Sequence, residues 1–537
     1  MFSLEKSCFL LNLTNQSNSW EIWEVKMIKR LIKGNKEKRI ILILFILSTS
    51  FFIYQNATCL SWDFSSYVLN AKYWFDGGKY FEPLRPPAMP FILGLFSVFG
   101  WRASETIFVI LTSFLFMYST VRLAKDLNFN PIVFYAISLN AYLLSVGLIN
   151  GTELLSLAFL ELFLSFLIEN KPISGLFLGL SSLSRYTGFA FFPLILLHLN
   201  IKKILKSLIL FGATVSSWFI YNYYKFGNLF TSIADQYANN ILYREYLIQP
   251  MQLSHFLQLQ NILLPFFLIG VIIKIYRGFE QIKVLKRHKI SLLEFLNKYK
   301  IELIILFLLF TSIFSYKNTP VKDVRYLFNL VLPTFYFSYI GLNYIVKKTK
   351  DDKRLLLFIA ILIFIVSFFT ASFLIQNNLC EPRGIYLDAI NKLDELNLSE
   401  CSIMSNAWVI LNDLNRPSLP FPREELISRS IEEGQIIVLF KHVKEPPYVF
   451  DNYVMGSLPL IYEDEKFIIL GTGKCLPITP FEESYLQQLD KIIFDLYAYH
   501  INTNPCFILF HNSPFLEKTC NFVNLNGFKQ DEYRVLQ

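Results

Sequence analysis

Charge is what this chain has least of. Only 17% of its 537 residues are Asp, Glu, Lys or Arg, whereas 53% are hydrophobic and 54 are phenylalanine. A soluble protein of this length has no interior large enough to hide that much apolar surface, so the class is a polytopic α-helical membrane protein. The net charge of +8 is spread between apolar runs. No basic patch interleaved with aromatics exists, which argues against a nucleic-acid partner. Glycine is sparse as well, at 21 residues, and no phosphate-binding glycine loop occurs; Gly471-Thr-Gly473 alone is too short to count. The seven cysteines include no CxxC pair and no neighbouring histidine cluster, so a structural zinc site is not expected. No cleavable signal peptide is expected either. The first long apolar run begins near Ile40, after a basic stretch from Lys26 to Arg39. It reads as an uncleaved first helix with a cytosolic N-terminus.

What is there is a series of apolar segments. Beyond 40–54 they lie near 104–121, 131–149, 152–168, 205–223, 256–276, 301–316, 326–346 and 354–376. With residues 1–39 inside, the next inside loops carry Arg122 and Lys125, then Lys171, then Lys202, Lys203 and Lys206, then Arg277 to Lys300, then Lys347 to Arg354. All are basic, as the positive-inside rule demands. Lys171 to Lys202 keeps that order only as two half-length arms that dip in and return. Roughly 12 residues per arm reach about 18 Å, too short to cross a core of about 30 Å. Counting this pair, about 11 membrane segments are expected between residues 40 and 376.

Three sizeable regions then fall outside: loop 58–103, loop 224–255 and the tail 377–537. The tail alternates helix-like and strand-like stretches: 384–396, 401–406, 435–440, 460–462, 466–470 and 482–500. That alternation predicts a small α/β domain. Cys8 is inside and the other six cysteines are outside, an even number that permits disulfides without fixing their pairing.

Several polar residues sit where membrane proteins can ill afford them. In loop 58–103, Phe64, Tyr67, Val68, Ala71, Trp74 and Phe75 recur at helical spacing, with Ser65, Ser66, Asn70 and Lys72 on the other face. This predicts an interfacial amphipathic helix, with Asp63 placed as its N-cap. Arg85-Pro86-Pro87 fixes an extended approach to the next apolar stretch. Asn150 and Glu153 have capping-box spacing. Glu161 lies about 16 Å below the outer end of its helix, and Arg185 reaches a similar depth, so the two are expected to pair. Lys317, Lys322 and Arg325 cluster at an outer turn, a setting suited to a phosphate.

The order of these pieces resembles the GT-C glycosyltransferases. The likeness is strongest to the protein O-mannosyltransferase and aminoarabinose transferase family (glycosyltransferase family 39) and its archaeal relatives. The matching residues are Asp63-x-x-x-Tyr67, Arg85-Pro-Pro, Glu153, Leu183-Ser-Arg185-Tyr186 and Arg325-Tyr326-Leu, over roughly residues 40–345. The resemblance implies a multi-pass cell-membrane enzyme that takes a sugar from a dolichyl- or other polyprenyl-phosphate carrier. A glycan lipid or protein would accept the sugar on the outer side, with inversion. It implies Asp63 as general base. Tyr67, Arg85, Glu153, Arg185, Tyr186, Lys317, Arg325 and Tyr326 would bind substrate, with the cations holding the lipid phosphate. Many relatives carry a second acid directly after the first-loop aspartate. Here Phe64 stands in that place, so no metal or other cofactor is assigned. The Trp-Trp-Asp motif of oligosaccharyltransferases is missing, which argues against en bloc transfer to asparagine. The competing readings are a flippase or transporter for such lipids, and an inactive membrane scaffold whose tail binds partners. No inverted repeat of the transporter kind is evident.

Overall fold

The computed structural model describes residues 36–227, 229–237, 249–285, 292–319, 321–349, 353–376, 381–421, 427–443 and 458–478. Helix α1 (Lys36–Thr58) runs into a two-residue strand, β1 (Cys59–Leu60), and then into the loop helix α2 (Trp62–Phe75). Helices α3 (Ala88–Phe96) and α4 (Trp101–Asp126) follow. The stretch near 131–149 is not one span but two short helices, α5 (Pro131–Ser138) and α6 (Ala141–Val146). Asn140 makes the break. Its Oδ1 accepts the Leu143 amide at 2.8 Å, capping a new helix, while its Nδ2 donates to the Leu259 carbonyl at 3.1 Å.

Next come α7 (Glu153–Ile168), buried along nearly its whole length, and the two short arms expected from the sequence. The arms are α8 (Ser174–Ser184) and a 3-10 helix, Tyr186–His198, which meet at Arg185. Gly188 is pressed against the Ser182 backbone, so the arms fold back on each other only because position 188 has no Cβ. The remaining membrane elements are α9 (Ile201–Phe226), α10 (Thr231–Tyr237), α11 (Leu253–Gln260), α12 (Leu264–Leu285), α13 (Leu292–Lys298), α14 (Lys300–Asn318), a 3-10 turn at Val324–Leu330, α15 (Val331–Thr349) and α16 (Lys353–Leu374).

Six helices among the described residues are long and apolar enough to cross a membrane. The rest are shorter, broken or buried inside the bundle. Large apolar side chains face outward in stripes at helical spacing, such as Leu306, Phe310 and Phe314 on α14, and Phe358, Leu362, Phe369 and Phe373 on α16. Such stripes are stable only against lipid. Inside the bundle, α12 and α15 approach until Gly270 meets the Phe337 carbonyl and Gly341 the Phe266 carbonyl, leaving no room for a side chain.

After α16 the character changes. Strand β2 (Glu381–Pro382) pairs antiparallel with β1, tying the tail to the first loop. It is followed by α17 (Arg383–Glu395), β3 (Ile403–Ser405), α18 (Trp408–Asp413), β4 (Leu419–Pro420), α19 (Ile427–Glu432), β5 (Ile436–Phe440), β6 (Leu460–Glu463) and β7 (Phe467–Leu470). The strands form one sheet in the order β4-β3-β5-β7-β6. β3 is parallel to β4 and β5, while β7 is antiparallel to β5 and β6. All five residues of β5 are buried, as a central strand covered on both faces requires. A disulfide joins Cys401 to Cys475 within this unit. The expected helix at 482–500, and Cys8, Cys380, Cys506 and Cys520, lie outside the described residues.

Candidate functional site

Asp63 is the second residue of α2, not its N-cap. Ser61 caps the helix, its Oγ accepting the Phe64 amide at 3.1 Å and donating to the Ile149 carbonyl at 2.8 Å. Hydroxyl-bearing Ser61 fits the extended cap conformation, so the Asp63 carboxylate is left free to reach outward. It reaches two guanidinium groups. Arg85 Nη1 donates to Oδ1 at 2.6 Å, and Arg325 Nη1 donates to Oδ2 at 2.5 Å. Residues 63, 85 and 325 thus converge from three separate stretches of the chain.

Each arginine is itself positioned. Arg85 Nε donates to Glu82 Oε2 at 2.6 Å, and its guanidinium lies 5.6 Å from the Tyr67 ring centre. Asn70 holds Glu82 by its backbone in both directions, at 2.9 and 2.8 Å, and Tyr80 donates to the Glu82 carboxylate. Arg325 follows Asp323, whose Oδ1 accepts the Arg325 amide at 2.9 Å, and Arg325 stacks 5.4 Å from the Tyr326 ring. Tyr142 on α6 donates to the Val324 carbonyl at 2.8 Å, fixing that turn from the side.

Burial alone would push the Asp63 carboxyl up. Arg85 and Arg325 outweigh it and hold it well below the usual carboxylate range. Burial pushes the Tyr67 hydroxyl up to about 12, so Tyr67 stays a protonated donor. With both Asp63 oxygens on guanidinium groups and Phe64 beside it, these residues do not form a cation-binding set.

A second ion pair lies next to the first. Arg185 Nη1 donates to Glu153 Oε1 at 2.5 Å, with Glu153 only 3% exposed. Glu153 Oε2 is buried without a hydrogen-bond partner in the described structure. Glu153 is close enough to Tyr67 and Arg325 to act on both electrostatically.

The sequence-level expectations are corrected at four further places. The Glu161–Arg185 pair does not form. Glu161 accepts instead from Ser119 Oγ at 2.6 Å and Thr120 Oγ1 at 2.7 Å, because α4 presents two hydroxyls at its depth. The Asn150–Glu153 capping box does not form either. Thr152 occupies the cap without a side-chain bond to the helix, its side chain meeting the Tyr67 hydroxyl instead, and Glu153 turns to Arg185. Lys317 is exposed at the end of α14 and shows no bond to the ion pairs. Neighbouring Lys322 is spent on the carbonyls of Tyr316, Lys317 and Thr319, the helix end that a cation favours. Finally, the polar face of α2 does not lie in water: Ser65, Ser66 and Asn70 are all buried.

Of the other expected residues, Tyr67, Arg85 and Arg325 stand around Asp63, Tyr326 lies against Arg325, and Arg185 is held by Glu153. The Tyr186 hydroxyl accepts from Trp218 Nε1 at 2.8 Å. Glu82 and Tyr142 were not anticipated. Glu82, three residues before Arg85, carries a readable acid–base spacing; Tyr142 carries no local signal at all.

No protein-family model matches the chain, and no curated protein does. Solved structures do. ArnT from Cupriavidus metallidurans bound to undecaprenyl phosphate superposes with a TM-score of 0.53, covering 82% of this chain and 98% of that one at 10% identity. The same protein in the apo state gives 0.51, covering 85% and 98% at 11% identity. The fold is GT-C. At this identity the likeness extends to the path of the chain and not to individual residues.

Proposed function

We propose that this chain is a membrane glycosyltransferase that moves a sugar from a polyprenyl-phosphate carrier to an acceptor hydroxyl on the outer side of the membrane. The single observation that carries this reading is the convergence of Arg85 and Arg325 on Asp63. Two guanidinium groups on one carboxylate are well suited to be re-used on a phosphate, which offers them more oxygens and more charge. The solved structure that carries undecaprenyl phosphate on the same fold supports a lipid-phosphate partner.

The chemistry follows from the groups present. The acceptor hydroxyl attacks the anomeric carbon, and the bond from that carbon to the phosphate oxygen breaks. The electron pair leaves with the polyprenyl phosphate, which needs cations rather than a proton. Arg85 and Arg325 supply them. Once the phosphate has drawn the guanidiniums away, Asp63 is released to take the hydroxyl proton. A single displacement inverts the anomeric centre. Glu153 Oε2, a buried acceptor without a hydrogen-bond partner in the described structure, would accept from a hydroxyl of the sugar or acceptor. The sugar and the acceptor are those the cell surface supplies; dolichyl-linked mannose is one member of the class.

The test is Asp63→Asn in membranes given undecaprenyl-phosphate hexoses and aminoarabinose. Transfer should fall by about 10²–10⁴-fold, the range for loss of a general base. Wild-type transfer by this variant would remove Asp63 from the mechanism.

A further inference from the structure

The C-terminal sheet unit does more than follow the membrane domain in sequence. Its short helix α18 lies along one face of α2. Trp62, Ser65, Leu69 and Lys72, spaced three and four residues apart, all meet it. Trp408 packs edge-on to Trp62, with ring centres 5.9 Å apart, and Val409 joins Leu69 and Tyr80 in one apolar cluster. Ser65 Oγ donates to Asp413 Oδ2 at 2.9 Å. Lys72 Nζ donates to the Asp413 carbonyl at 3.1 Å and to Asn415 Oδ1 at 3.3 Å, and it lies 3.8 Å from Asp413 Oδ1 as an ion pair. The Asp413 side chain is 3% exposed and Ser65 is fully buried. A carboxylate is expensive to bury, so its placement here needs a reason.

Both halves of the ion pair are reached from this contact. Ser65 lies two residues from Asp63 on the same helix. Trp408 also packs on Tyr80, with centres 5.4 Å apart, and Tyr80 bonds Glu82, which holds Arg85. We propose that Asp413, reaching across from the sheet unit, is a positioning residue: through Ser65 it fixes α2 and so sets where Asp63 and Arg85 stand. The sheet unit then serves as a clamp on the first-loop helix. This inference rests on the transfer reaction proposed above.

The experiment compares Asp413→Ala, Ser65→Ala, their double variant and Asp413→Asn, with two readouts. In the transfer assay, kcat should fall by about 10- to 100-fold for either alanine variant, the range for a small misplacement of a catalytic group. The KM for an undecaprenyl-phosphate hexose should not change. The double variant should be no worse than Asp413→Ala alone, which already removes the Ser65 and Lys72 contacts to the carboxylate, and Asp413→Asn, which keeps the acceptor oxygen, should restore most of the rate. In hydrogen–deuterium exchange, amides of Trp62–Phe75 should exchange several-fold faster in both alanine variants, with β5 still protected. Ser65→Ala removes one oxygen and leaves the interface packed, so a folding failure of Asp413→Ala does not stop the test. Unchanged exchange in α2 would overturn the clamp whether or not any donor is turned over. Faster exchange with wild-type kcat would overturn the link to catalysis. Absence of transfer by the wild-type protein would count against the proposed function alone, and the exchange result would still decide the clamp.

Discussion

Removing the charge on Asp63 should push stability and lipid-phosphate affinity in opposite directions. Asp63 accepts two charge-assisted hydrogen bonds, from Arg85 at 2.6 Å and from Arg325 at 2.5 Å. Each such bond contributes about 1.5–3 kcal/mol net when well buried. Here the carboxylate is 22% exposed and the arginines 13% and 24%, so solvent weakens both bonds. Arg85 also keeps Glu82 after the change. Asp63→Asn should therefore cost the empty protein about 1.5–3 kcal/mol, half the nominal sum of two bonds. A phosphate entering the wild-type site must draw those guanidiniums off the carboxylate, and in the variant it need not. If one of the two bonds is surrendered on binding, affinity for undecaprenyl phosphate should rise about tenfold, the equivalent of about 1.4 kcal/mol. Thermal melting of the detergent-solubilised protein reads the first quantity, and titration with undecaprenyl phosphate reads the second. A variant that is both less stable and weaker in binding would refute the reasoning. It would mean that Asp63 orients the arginines for the phosphate rather than competing for them.

Three further outcomes are expected. The stability difference between wild type and Asp63→Asn should stay constant from about pH 7 to 5. The folded carboxyl is held below its unfolded value near 3.9, so its contribution is present above that value and is lost only as pH falls toward the folded one. Melting curves of both proteins across that range check this, and a gap that closes by pH 5 would contradict it. Glu153→Gln should destabilise by about 3–5 kcal/mol because it strands the largely buried Arg185, and Glu153→Gln with Arg185→Met should be less harmful than Glu153→Gln alone. Glu161→Gln should change stability by no more than about 1 kcal/mol, because its hydrogen-bond partners are the Ser119 and Thr120 hydroxyls, which a glutamine oxygen also satisfies.

How much of this was legible depends on the range of the interaction concerned. Asp63, Arg85 and Arg325 could be picked out because each is a charged residue at an apolar boundary, where composition makes it conspicuous; Tyr67 stood out only through the resemblance to the GT-C enzymes. The two short arms were legible because a single span over 171–202 would put every later basic loop outside, so charge order favours a pair that dips in and returns. The break at Asn140 was not, since only the Leu259 carbonyl, more than a hundred residues away, gives its amide a buried partner. Glu161 was matched to the wrong partner because depth along a helix fixes one coordinate and leaves its rotation open. Rotation is set by packing, and packing turned Glu161 toward α4 and Glu153 toward Arg185.

By itself, the sequence determined the class, the apolar segments and the residues too polar to be accidental. Hydrophobicity and charge act locally, and a bilayer turns them directly into topology. Only the tertiary structure decided that three distant residues share one ion pair, and that the polar face of α2 is buried, Ser65 against Asp413 and Ser66 and Asn70 against Tyr80 and Glu82, rather than open to water. Those contacts join positions up to 348 residues apart. No local preference specifies which of several buried charges meet. That choice falls to the packing that leaves the fewest of them unpaired.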